Sequence, residues 1–201
     1  MNRRQFSIII LLIIVGLFAL PIFFAPKPTT TTAAGMTLIP PRGEIAAFEL
    51  RDQHDQVFDL ARLHGKWSLL FFGYTHCPDI CPTTLATLKQ VHQLLGEQNK
   101  IIQYVFVSVD PARDAPEVME RYTRYFDPDF LGISGPPSEL DKLTQALGAY
   151  YHVDKNTAGD YLVDHSAAVF LVDPQARMRG LFSAPQNAQQ MAANLRHLEK
   201  F

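Results

Sequence analysis

The chain has little of several things that would narrow its function. It holds two cysteines in 201 residues, Cys77 and Cys81. A bridge between them would close a loop too short to constrain the unfolded chain by much, so a purely structural disulfide is the weakest use for them. Basic residues do not exceed acidic ones (18 against 20, formal net charge −2), which argues against a nucleic-acid binder with its usual basic face. No internal repeat is visible, and low complexity is confined to the threonine run at 29–32. Proline is missing between Pro137 and Pro174, and charge is missing altogether from residues 6–25.

That uncharged run is almost continuously apolar and follows Arg3 and Arg4. Roughly 20 apolar residues span a bilayer core as a helix, and arginines before it without a balancing cluster after it orient the N-terminus to the cytoplasm. The expectation is a single-pass N-terminal transmembrane anchor over 1–25, an extended linker over 26–43 and a domain over 44–201 outside the cytoplasm. A cleaved signal peptide is the rival reading, with Thr32-Ala33-Ala34 as a cleavage candidate, and Arg3-Arg4-Gln5-Phe6 has the look of a twin-arginine signal. Either way the domain leaves the cytoplasm. No Arg- and Ser-rich transit peptide precedes it, so the expected location is the bacterial inner membrane with the domain in the periplasm, where disulfides are permitted.

The remaining composition, 47% hydrophobic and 19% charged, fits one globular domain plus accessories. Short strands are expected at 45–50 and 57–60. The nearly unbroken apolar run 67–72 reads as a central strand buried on both faces. After Gly73 comes the thiol segment, then a helix with Pro82 at its first position and Leu85, Leu88, Val91 and Leu95 at helical spacing, stopping at Gly96. A second buried strand at 104–109 makes a strand–helix–strand crossover. Asp114 and Glu117 resemble a capping box for a helix to about Phe126, and Ser138 and Asp141 are expected to cap another over 139–149. Residues 150–161 read as loop or hairpin, 167–172 as the third clear strand, 178–182 as its antiparallel partner, and Asn187 as the cap of a last helix. The order βαβ, insertion, ββα is that of a thioredoxin-like α/β fold.

Cys77 and Cys81 thus sit beyond the C-terminal end of a central strand, where open α/β sheets place their sites. Four residues apart on one helical turn, their Cα atoms would be about 6 Å apart, within disulfide range. Cys81 faces the positive end of the helix dipole, which favours its thiolate. Two soft thiolates outside the cytoplasm suit a soft ion, Cu(I) foremost, and an imidazole would complete a three-coordinate site. Of seven histidines, His54, His64, His92 and His197 read as surface residues, while His76 and His152 are minor candidates. His165 stands immediately before the third strand, in the loop that faces the active-site cysteines of a thioredoxin-like fold. Oxidoreductases of that class carry a cis-proline there, and this chain has none. His165 is therefore the leading candidate ligand, with an ordinary loop histidine as the alternative.

These residues carry a resemblance. Gly65-Lys66, Phe72-Gly73-Tyr74-Thr75, Cys77-Pro78-Asp79-Ile80-Cys81-Pro82, Ser108-Val109-Asp110-Pro111 with Arg113-Asp114, and Asp164-His165-Ser166 together are similar to the Sco (SenC) family, membrane-anchored copper proteins of cytochrome c oxidase assembly. The resemblance implies a thioredoxin-like domain binding one copper, as Cu(I) or Cu(II), through Cys77, Cys81 and His165. It also implies transfer of the copper to the CuA-bearing subunit of the oxidase. Asp79 could tune the metal loop, and Asp164 could orient His165 or help bind Cu(II); a turn residue and an ordinary loop carboxylate are the plain alternatives. Asp110 and Arg113 are expected to pin the loop after the second strand by a salt bridge and a helix cap.

The leading expectation is a metallochaperone, a binding and transfer protein rather than a catalyst. Loading needs both thiols reduced, hence a periplasmic thiol reductant, with another copper chaperone as a possible donor. The second reading is a thiol–disulfide oxidoreductase in which Cys77 and Cys81 are the redox-active pair, keeping the cysteines of a copper-site partner reduced.

Overall fold

A computed structural model describes residues 32–33, 35–40, 43–153 and 161–198. The expected anchor over 1–25 lies outside the described residues. Among the described residues, no helix is long and apolar enough to cross a membrane.

β5 (Trp67–Gly73) is buried at every position, as a strand covered on both faces must be. Its alternate side chains feed two separate cores. Trp67, Leu69 and Phe71 join one, and Leu70 and Phe72 the other. β6 (Ile102–Ser108) lies parallel to β5, and the crossover between them is α2 (Ile80–Leu95) followed by a 3₁₀ turn over Gly96–Ile101. Gly96, at φ 54°, ends α2 in a conformation that only glycine adopts without strain. β7 (Leu131–Ser134) continues the parallel run beside β6, after α3 (Pro116–Phe126).

The two sheet edges are antiparallel. β10 (Val169–Val172) pairs with β5 and with β11 (Met178–Phe182), and β3 (Glu49–Asp52) pairs with β7 and β4 (Val57–Asp59). β2 (Met36–Leu38) pairs with β11, and β1 (Thr32–Ala33) with β2, giving the order β1-β2-β11-β10-β5-β6-β7-β3-β4. One face is covered by α2, α3 and α5 (Ala188–Leu195), through Leu85, Leu88, Phe126, Met191 and Leu195. The other takes α1 (Leu60–Leu63) and α4 (Pro137–Leu147), through Leu63, Leu140, Leu143 and Leu147. β8 (Tyr151–Val153) pairs with β9 (Val163–His165) in a separate two-stranded ribbon; only its first strand lies within the expected loop or hairpin over 150–161, and the second includes His165 itself. The thioredoxin-like order βαβ, insertion, ββα is thus observed.

Several local expectations need correction. Residues 45–48 are not strand; pairing starts at Glu49. Part of the expected linker belongs to the sheet, because Met36 is fully buried and residues 36–38 pair with β11. Pro82 is the third helical residue rather than the first, since α2 starts at Ile80; its missing N–H is still one that the first turn leaves unpaired. Asp114 does not cap α3. Ala115 occupies that position, and the Asp114 carboxylate turns inward. Ser138 and Asp141 lie inside α4, which Pro136 precedes, and the Asp141 carboxylate accepts from the Tyr151 hydroxyl at 2.8 Å. Asn187 does cap α5, accepting from the Gln190 N–H at 3.0 Å.

The two-sided core makes a sharp contrast testable. Leu171→Ala, in β10 with no exposure, is expected to lower unfolding free energy by about 2–5 kcal/mol in urea melts. Ile101→Ala, half exposed at the end of the 3₁₀ turn, is expected to change it by less than about 0.5 kcal/mol.

Candidate metal centre

The sheet register brings the site together. Phe71 of β5 stands opposite Val169 of β10, so the segment leaving β5 and the segment entering β10 meet at the same end of the sheet. The first carries Cys77 and Cys81, and the second carries His165. The sulfurs and a ring nitrogen of His165 all lie within 4.8 Å of one another. Cys81 Sγ is 3.4 Å from His165 Nε2, and the Cys81 backbone N–H points to Cys77 Sγ at 3.4 Å. Both thiols are free; Cys81 is buried and Cys77 half-buried. A trigonal ion with bonds of about 2.0 Å to nitrogen and 2.3 Å to sulfur separates its donors by about 3.7–4.0 Å, so three donors at this spacing fit one ion with small adjustments.

The ring of His165 is held from three sides. Its Nδ1 lies 3.2 Å from the Ser166 carbonyl, which accepts the Nδ1 proton and leaves the Nε2 lone pair facing the sulfurs. Phe71 and Tyr74 meet it edge-on, each with centroids 5.9 Å away. The backbone beside it is clamped by the Tyr150 N–H to Ser166 Oγ and the Ser166 N–H to the Tyr150 carbonyl, both 2.9 Å. Upstream, the Tyr161 hydroxyl donates to Asp110 at 2.6 Å, and Arg113 pairs with Asp110 while donating to the Tyr161 carbonyl at 3.0 Å. The expected Asp110–Arg113 salt bridge therefore exists, but it reaches across to the segment that carries His165.

The thiol loop has its own anchor. The buried Asp114 carboxylate accepts from the Thr75 N–H (2.9 Å), the Thr75 hydroxyl (2.6 Å) and the Ser108 hydroxyl (2.6 Å). A buried carboxylate needs such partners, so the loop is tied to the end of β6. Gly73 makes room for the second sulfur. A Cβ there would lie 2.5 Å from Cys81 Sγ and 2.9 Å from Phe106 Cε2.

The electrostatics differ from expectation in one respect. Cys77, rather than Cys81, is the thiolate. A hydrogen bond from Cys81 pulls the Cys77 thiol well below its ordinary value against the opposing effect of burial, and the backbone N–H groups of Asp79 and Cys81 add to it. Cys81 moves up, because it keeps the proton shared with Cys77 and is buried beside that charge. The Cys81 N–H, in the first turn of α2, is aimed at Cys77 Sγ, while the Cys81 side chain is buried.

Asp79 and Asp164 are exposed at the rim of a cleft of about 300 Å³, floored by Cys77 and His165. Asp164 does not orient His165, since the Ser166 carbonyl takes that role, and Asp79 acts through its backbone N–H. His76 turns to Thr75 Oγ1 (3.1 Å), and His152 is exposed on β8. His92 is not the plain surface residue expected. It is largely buried between Asp127 and Asp129.

With this geometry in view, comparison with known proteins decides the family. The SCO1/SenC family model matches residues 39–200. The chain belongs to the SCO1/SenC family. An SCO2-like protein of Rickettsia prowazekii is 35% identical over 175 residues, covering 85% of each chain. Among solved structures, Bradyrhizobium japonicum ScoI with copper bound is 36% identical, with a TM-score of 0.70 over 77% of this chain and 99% of that one. Yeast Sco1 with copper bound is 30% identical, with a TM-score of 0.73 over 79% and 90%.

For this Sco-family chain, the Cys77–Cys81 asymmetry predicts selective alkylation. A lowered pKa means thiolate is already present in acid solution. At pH 6 iodoacetamide is therefore expected to modify Cys77 readily in the reduced metal-free protein and Cys81 hardly at all, as read by peptide mass mapping. Gly73→Ala is expected to cost about 1–3 kcal/mol in urea melts, because the added methyl overlaps the Cys81 sulfur.

Proposed function

We propose that this protein is a copper metallochaperone. It binds one copper ion through Cys77, Cys81 and His165 and delivers it to the CuA-bearing subunit of cytochrome c oxidase during assembly. The observation that carries the reading is the convergence of two thiols and the Nε2 lone pair of His165 within 4.8 Å. Two sulfurs and an imidazole select a soft ion, and the Bradyrhizobium japonicum and yeast relatives are known with copper bound. The copper is cargo. Cys77 and His165 face the cleft and meet the ion first, while the buried Cys81 closes over it from behind.

The setting follows from the apolar run at 6–25. We place the chain as a single-pass protein of the bacterial inner membrane with its domain in the periplasm. Loading there requires a periplasmic thiol reductant, because the disulfide has lost both thiolate ligands, and a copper donor such as another chaperone. One observation favours a second reading. A half-exposed thiolate at Cys77 beside a protonated Cys81 is also the arrangement of a thiol–disulfide oxidoreductase that keeps a partner's cysteines reduced.

Titration of the reduced protein with Cu(I) against a chromophoric competitor separates the two. One ion per chain is expected, weakened at least about hundredfold by His165→Ala and by Cys81→Ser, since each removes a direct ligand. If His165→Ala binds as well as the parent while exchange with a test disulfide persists, the chaperone reading fails and the oxidoreductase takes its place. For the location, the chain is expected to stay with membranes in high salt and to release only in detergent.

A further inference from the structure

A second group of metal-ligating side chains lies away from the thiols, eleven residues further along α2. His92, Asp127 and Asp129 place a ring nitrogen and two carboxylate oxygens within 4.8 Å of one another. At about 1.5 Å per helical residue, His92 is about 16 Å from Cys81, too far to share its ion. The ring is fixed in place. It meets Tyr104 edge-on at 5.3 Å and Phe130 at 6.3 Å between centroids.

The two ring nitrogens are not equivalent. Nδ1 is 3.0 Å from Asp127 Oδ2, and a carboxylate oxygen only accepts, so this contact favours the proton on Nδ1. Asp127 is itself positioned, because its Oδ1 accepts from the Asp129 N–H at 3.0 Å. With the proton on Nδ1, the Nε2 lone pair faces the Asp129 carboxylate at 3.7 Å. That is too long for a hydrogen bond. Two acceptors about 3.4 Å apart are what a tetrahedral ion with 2.0–2.1 Å bonds to nitrogen and oxygen sets, so a small movement of the exposed Asp129 suffices. Carboxylate, imidazole and metal in series is also how proteins orient a ligating histidine.

We propose that His92 Nε2 and Asp129 are the protein ligands of a second, exchangeable site for a borderline divalent ion of the zinc or copper(II) class, with Asp127 orienting the ring. The set is nitrogen and oxygen rather than sulfur, so it selects a different ion class from the thiol site. Water from the adjoining cleft of about 600 Å³ completes the coordination. Arg62, Lys66 and Lys100 line the same cleft, and their charge opposes a divalent cation. Together with only two protein ligands, this makes the site weaker than the thiol site and its ion exchangeable.

The test uses the full-length protein carrying Cys77→Ser and Cys81→Ser, so that the thiol pair takes no metal, with Zn²⁺ alone as the probe. Calorimetry is expected to give one ion per chain. Imidazole ¹⁵N spectra at pH 7 are expected to move the His92 Nε2 signal on Zn²⁺ addition while Nδ1 stays protonated. Asp129→Asn, at a side chain 74% exposed and so harmless to folding, is expected to weaken binding at least tenfold, and Asp127→Asn by about tenfold. The competing arrangement is an imidazolium held between the two carboxylates. His92 signals unmoved by millimolar Zn²⁺, or Asp129→Asn binding as well as its parent, would overturn the proposal in favour of that ion pair.

Discussion

The antiparallel register of β10 on β5 is the constraint on which the thiol–imidazole site depends. Cys81 and His165 are 84 residues apart, and nothing local draws them together. They meet because Phe71 stands opposite Val169, which puts the exit of β5 and the entrance of β10 at one end of the sheet. A one-residue slip in that pairing would reverse the faces of β10. Leu171 would leave the core under α2 and α5, and Phe170 and Val172 would leave the core under α4. Burial on both faces therefore holds the register, and the register holds the site.

Polar groups refine what the register brings near. Asp114 ties the thiol loop to β6 through Thr75 and Ser108. Asp110 and Arg113, from the same loop after β6, reach Tyr161 on the approach to β9. One short segment thus governs both halves of the site. The Arg113 guanidinium stacks 3.6 Å over the Tyr161 ring, adding a planar contact that a lysine could not supply. The two sulfurs are then divided by environment, Cys77 at the cleft with the Cys81 N–H before it and Cys81 in the core behind it.

Much of this was legible from residue order. Two-sided burial of 67–72, the parallel step to the strand at 104–109 and the Asn187 cap all follow from periodicity and cap chemistry, which are local. The failures share a cause. Asp114 and Asp141 look like cap residues in sequence, but each carboxylate has a better donor brought by the fold, Thr75 and Ser108 for one and Tyr151 for the other. His92 sits on a helical face that reads as solvent-exposed until the turn after α3 folds over it with Asp127 and Asp129.

The sequence by itself determined the identity of the donors and the order of strands and helices, because residue chemistry and hydrophobic period are written along the chain. Only the tertiary structure decided which thiol carries the charge and which way His165 presents its ring. It also decided why residue 73 has no side chain. Those outcomes turn on how the fold aims neighbouring groups and which remote ones it packs against them: the Ser166 carbonyl accepts from Nδ1 while Phe71 and Tyr74 fix the ring, the Cys81 N–H points at Cys77, and Phe106 with Cys81 closes on Gly73.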